Sequence, residues 1–90
     1  MNGDATLFLV HWYPAHGTLE GVDGILLEDG MMLVRSTATR SQVYHHAKHQ
    51  LSPDRLLVAE LCDQPKMKGM ASGSHVWLKA GGGGGLTPSS

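Results

Sequence analysis

The sequence has a single cysteine, Cys62, which excludes an internal disulfide framework. It also lacks any excess of charge of one sign: seven basic residues stand against eight acidic ones, for a formal net charge of −1. A strong phosphate-backbone binder reads basic, and a solvating acidic tail carries far more carboxylates. Long apolar runs are absent too. Nothing approaches the roughly 18 consecutive apolar residues of a membrane helix. The N-terminal run Leu7 to Val10 is short and has no Lys or Arg before it, unlike a secretion signal. Together these absences point to a reducing, cytoplasmic setting without a membrane partner. Motifs of well-known chemistries are missing as well. There is no Gly-x-Ser-x-Gly elbow and no paired-cysteine zinc motif, and the glycine run 81–85 lacks the Lys-Ser/Thr ending and following helix of a phosphate loop. No cofactor is expected.

Ninety residues make one domain. Residues 1–80 are expected to form it, and 81–90, five glycines followed by LTPSS, read as a flexible tail or linker. A domain this small buries only about 60–65% of its unfolded surface, and such domains often gain stability from a partner chain.

TLFLVHWY, Thr6 to Tyr13, is β-branched and aromatic and stops at Pro14, so it reads as a strand. Phe8, Val10 and Trp12 share one face; Leu7, Leu9, His11 and Tyr13 share the other. The next stretch, 14–23, holds a proline and two glycines and reads as a loop, with room for a helical turn over Thr18 to Val22. Asp29-Gly30 then separates two apolar runs, the pattern of a type I′ hairpin with positive φ at both turn positions. A two-residue turn pairs Glu28 with Met31, Leu27 with Met32, Leu26 with Leu33 and Ile25 with Val34. Ile25, Leu27, Met32 and Val34 then form an apolar face, and Leu26, Glu28, Met31, Leu33 and Arg35 a mixed one.

Thr39 and Gln42 have the spacing of a capping box, hydroxyl first and amide three residues later. In the helix they open, Val43, Tyr44, Ala47 and Leu51 fall on one stripe, with His45, Lys48 and His49 toward solvent. Ser52-Pro53 ends it, because a residue before proline avoids the α region. RLLVAEL, Arg55 to Leu61, fits a strand better than a second helix, although Ser52-Pro53-Asp54 also suits a helix start. As a strand it places Leu57, Ala59 and Leu61 on one face and Leu56, Val58 and Glu60 on the other. A basic connector spans Gln64 to Gly73, and His75 to Lys79 forms a short element, strand or helix.

This order of elements, with MMLVRST, a capped helix and SPDRLLVAEL, resembles the second half of small ferredoxin-like proteins related to the CRISPR adaptation endoribonuclease. The likeness runs from Met31 to Leu61, about a third of the chain. It implies an α+β fold: a degenerate βαββαβ unit whose first helix is reduced to a loop, with an antiparallel sheet and one main helix. Those nucleases are known for an aspartate at the end of the first strand. Here Trp12-Tyr13-Pro14 occupies that place, and no carboxylate occurs between Asp4 and Glu20. The resemblance therefore implies the fold and none of the catalysis. A meander of three consecutive strands is the alternative topology.

The candidate chemistry is sparse. His45 and His49 are spaced i, i+4 and can point from one side of a helix at a metal ion, but a tetrahedral site needs more ligands. His11, in an apolar strand, is a candidate general base or ligand contact for a small enzyme or binding protein. Against this, no carboxylate neighbours it in sequence. Cys62 stands beside the acidic Asp63 rather than a cation, unlike a catalytic thiol. Lys66 and Lys68, joined in space by Arg35, Arg40 and Lys79, suggest a nucleic-acid-associated protein, with Tyr13 and Trp77 available to stack bases. The apolar surplus of the strands argues for a different role. If one strand face packs on the helix, the opposite one, Leu26, Glu28, Met31, Leu33, Arg35, Leu56, Val58 and Glu60, exceeds what a single covering layer can hide. Large exposed apolar patches mark interaction surfaces. The expected function is therefore a non-enzymatic interaction domain that forms a homodimer.

Overall fold

The structure, a computed structural model, describes residues 5–81. Its elements are β1 (Thr6–Tyr13), β2 (Asp23–Glu28), β3 (Met31–Ser36), α1 (Arg40–Leu51), β4 (Arg55–Leu61) and α2 (Ser74–Gly81). The strands form one antiparallel sheet in the order β2-β3-β1-β4, so the fold is α+β. β1 lies between β3 and β4, which rules out the meander, where it would neighbour β2. Gly81, expected to begin the tail, is the last residue of α2; the rest of that segment, 82–90, lies outside the described residues. Among those described, no helix is long and apolar enough to cross a membrane.

β1 forms the spine of the sheet because it is apolar on both faces. Its Phe8, Val10 and Trp12 are fully buried and meet Met32 and Val34 of β3, Val43 and Ala47 of α1, and Leu19 of the 14–22 loop. Leu26, Leu56 and Val58 pack at the margin of this layer. The Thr39 capping box forms as its spacing predicts: Thr39 Oγ1 accepts from Gln42 N at 3.1 Å, and Gln42 Oε1 accepts from Thr39 N at 2.9 Å. α1 ends at Leu51, where Ser52 turns left-handed with φ 44° and its N–H closes on the Lys48 carbonyl. Tyr44, expected on the buried stripe, is instead exposed.

The 14–22 loop forms no helical turn, yet it covers the same sheet face as α1. Trp12 Nε1 donates to His16 O at 2.9 Å. Glu20 exchanges two hydrogen bonds with the Gln50 side chain, and His46 Nε2 lies 3.2 Å from the Glu20 carbonyl. Leu19 and Val22 are thereby held against the core.

The hairpin departs from its expected geometry. Only Gly30, at φ +82°, takes a positive φ; Asp29 does not. Type I′ needs positive φ at both turn residues, so this tip is not that turn; a single left-handed glycine beside a register shift matches the three-residue hairpin loop with a glycine bulge. Glu28 still pairs with Met31, but a bulge between Leu26 and Glu28 shifts the rest by one residue, so Leu26 pairs with Met32 and Ile25 with Leu33. A one-residue shift exchanges every side chain between faces. Leu26 therefore joins the α1 layer, while Ile25 and Leu27 join Leu33 on the other side. β4 is likewise reversed from expectation. Its pairing of Val10 with Val58 aligns Leu56 and Val58 with the Phe8 face. Leu57, Ala59 and Leu61 consequently share the opposite face.

Candidate interaction surface

The second face of the sheet has its own, partial cover. The 62–73 connector leads into α2, whose Leu78 is buried with Leu27 and Leu33, with Met67, Met70 and Trp77 packed around them. Leu33 is 1% exposed. The residue that fastens this cover is Arg35. Its guanidinium lies 4.1 Å from the Trp77 ring centroid, donates to the Trp77 and Leu78 carbonyls at 3.4 and 3.3 Å, and pairs with Asp23 at 3.4 Å. Trp77 Nε1 donates to the same Asp23 carboxylate at 3.2 Å. Arg35 thus ties the C-terminal half of α2 to β3, where a cation also suits the helix dipole.

This cover buries Leu27 of β2 and Leu33 of β3 and reaches Leu7, Leu9 and Leu61 only at its margin, leaving them partly buried. On that more open flank, β1 presents Leu7, Leu9, His11 and Tyr13, and β4 presents Arg55, Leu57, Ala59 and Leu61, paired as Leu7–Leu61, Leu9–Ala59, His11–Leu57 and Tyr13–Arg55. Leu57 is 52% exposed and Tyr13 54%. Arg55 lies over the Tyr13 ring at 5.6 Å. Leu57 and Ala59 belong to neither core cluster.

The two sheet edges differ in the same sense. β2 is interrupted by its bulge, and its Leu27 carbonyl accepts from Ala71 N at 2.8 Å, so the connector lies along that edge. β4 pairs with β1 without interruption over all seven residues. Among the described residues, no hydrogen bond from any other segment reaches it. Natural edge strands are blunted by bulges, prolines, inward charges or covering loops. β2 has two of these devices. β4 has none beyond Arg55 and Glu60.

The eight residues expected to form one interface do not share a surface. Leu26, Leu56 and Val58 pack in the α1 layer, Met31 and Leu33 under the α2 cover, and Arg35 is taken up by Asp23 and α2, while Glu28 and Glu60 are exposed. The four expected cations are also spread out. Arg35 and Arg40 line an open groove of about 910 Å³ where β1 begins and β4 ends, beside Glu60 and Asp63. Lys66 lines a smaller one of about 330 Å³ with His75 and Lys79, and Lys68 lines neither. Cys62 is free and exposed at the larger groove. His45 and His49 are exposed on α1, and no group of three or more possible metal ligands occurs among the described residues. His11 is exposed on the open flank beside Leu57 and Met31.

Sequence reasoning missed Asp23 and Trp77, because their link to Arg35 joins segments far apart in the chain. It also placed Leu57 against the helix. The only available hint was that RLLVAEL is apolar on both faces, so some of it must be left over whichever way it turns. Comparison with protein-family models, with curated proteins and with solved structures finds no match for this chain.

Proposed function

We propose that this chain is a small non-enzymatic interaction domain that accepts an extended strand from a protein partner along the outer edge of β4. The observation that carries this reading is the asymmetry of the sheet: β2 is bulged and bonded to the connector, whereas β4 is regular, unguarded and flanked by exposed Leu57 and Tyr13. Strand addition draws affinity from main-chain hydrogen bonds and specificity from alternate side chains. The β4 flank offers both, with Leu57, Ala59 and Leu61 as apolar contacts and Arg55 as a charged end.

A ferredoxin-like derivation of the fold goes with this reading. The order β4-β1-β3-β2, with every neighbour antiparallel, is that of a βαββαβ unit. The 14–22 loop lies where the first crossover helix belongs, on the α1 side of the sheet. The nucleic-acid alternative draws less support, since Arg35 is engaged within the fold and the larger groove carries as many carboxylates as guanidiniums. A small enzyme built on His11 draws less support, since among the described residues no carboxylate hydrogen-bonds that ring.

The test is a titration of the isotope-labelled chain with a capped heptapeptide of alternating valine and threonine, followed by amide NMR. Shifts confined to Arg55–Leu61 and the β1 residues paired with them are the expected result. Shifts centred on β2, or none at millimolar peptide with the chain at a concentration where it is monomeric, would overturn the reading. Leu57→Lys places on the edge the charge that edge strands ordinarily carry, and it is expected to abolish the shifts without lowering stability.

A further inference from the structure

On the open face the charges run in one direction. Arg55 opens β4 there and Asp63 follows two residues after Leu61, while by alternation Asp54 and Glu60 belong to the α1 face. A strand face that is basic at its start and acidic at its finish is complementary to its own reversed copy. A parallel copy would set Arg55 beside Arg55 and acid beside acid. An antiparallel copy sets each basic end against the partner's acidic end, and the symmetry of such a pair is two-fold, the closed and commonest form of homo-oligomer.

Resting on the strand-addition reading, we infer that the partner of β4 is a second copy of this chain, joined antiparallel β4 to β4 about a dyad at Val58, so that the two sheets become one. Val58 is the middle residue of β4. With Val58 opposite itself, Leu57 faces the partner's Ala59 and Arg55 faces the partner's Leu61. Directly opposed residues in antiparallel strands point to the same face, so the exposed Leu57 and the half-buried Ala59 and Leu61 of both copies merge into one apolar strip. That strip is continuous with Leu7 and Leu9 on each side. The partner's Asp63 falls at the diagonal position from Arg55, about 7–8 Å between backbones and within reach of a long side chain. On the α1 face Leu56 meets the partner's Glu60 and Asp54 the partner's Cys62, so no like charges are directly opposed, and the nearest acidic pair, Asp54 with the partner's Glu60, is diagonal. The unguarded edges disappear in the pair, while the β2 edges stay outermost under their bulges and connectors.

Sedimentation equilibrium and disulfide scanning on the full chain test this. The wild type is expected to show a concentration-dependent dimer. Arg55→Glu and Asp63→Arg, each alone, are expected to weaken it about tenfold, two symmetric charge contacts being altered in each. The double variant is expected to recover most of the loss. In a Cys62→Ser background, Val58→Cys is expected to form an intermolecular disulfide faster than Val76→Cys on the exposed face of α2. A double variant no tighter than the singles, or Val58→Cys crosslinking no faster than Val76→Cys, overturns the inference. A chain that stays monomeric while taking up the valine-threonine peptide overturns the second copy and leaves strand addition standing; a monomer that takes up no peptide overturns both.

Discussion

Arg35→Met retains most of the length and the apolar stem of the side chain and deletes only its guanidinium. The ion pair it removes is with a carboxylate that is 61% exposed, so it is worth at most about 1 kcal/mol. The guanidinium–indole contact, with Arg35 itself only 11% exposed, adds about 1 kcal/mol. The hydrogen bonds to the Trp77 and Leu78 carbonyls, at 3.4 and 3.3 Å, lie beyond the optimal range and add less than their usual value. Methionine recovers some packing on Trp77 through its sulfur. A net loss of about 2 kcal/mol follows, concentrated on α2, because every lost contact joins β3 to that helix or to the residue that also holds Trp77. Hydrogen exchange should report it as about 30-fold faster exchange of the α2 amides, with the β1 and β3 amides far less affected. If the α2 amides exchange at the wild-type rate, the clamp is not what holds the cover in place. If β1 and α2 accelerate equally, α2 is not a separately opening unit.

Four further substitutions test the assignment of faces and turns by thermal or urea unfolding. Leu33→Ala, at a site 1% exposed under α2, should cost about 2–5 kcal/mol, whereas Leu57→Ala, half exposed on the open flank, should cost under about 1 kcal/mol; equal losses would mean the flank is covered. Thr39→Ala removes the hydroxyl of the capping box and should lower stability by about 1 kcal/mol, and an unchanged midpoint would contradict the capping. Gly30→Ala forces φ +82° on a residue whose new Cβ would lie 2.8 Å from the Trp12 carbonyl, so its cost should exceed the roughly 1 kcal/mol of a left-handed alanine alone; a neutral result would mean the hairpin tip is not seated against β1.

The elements whose signals are local were legible in the sequence. β1 is bounded by Pro14, α1 by a capping box and Ser52-Pro53, and β4 by Asp54 before it and a polar stretch after it. What could not be read was which way each strand turns. The Asp29-Gly30 dipeptide marks the hairpin, but the bulge at Leu27 depends on how that tip is held: Gly30 is pressed against Ala15, and its carbonyl accepts from Trp12 N at 2.9 Å. In β4, Leu56 and Val58 are as apolar as Leu57 and Leu61. Only the pairing with Val10, a contact 48 positions away in the chain, decides which set meets α1. The extent of the α2 cover was hidden for a similar reason. It rests on Arg35, Asp23 and Trp77, three residues of unlike type with no common spacing. The apolar surplus away from α1 was therefore legible as a quantity, but the register changed which residues make it up, and it narrowed to the β4 side because α2 covers Leu27 and Leu33.

The most direct measurement of the proposed role is amide hydrogen exchange along both sheet edges as a function of protein concentration. The account predicts that outward-facing amides of Arg55–Leu61 slow as concentration rises through about the micromolar to hundred-micromolar range, while those of Asp23–Glu28 do not change. Exchange along β4 that stays fast and independent of concentration, or protection that grows at β2 instead, would contradict it.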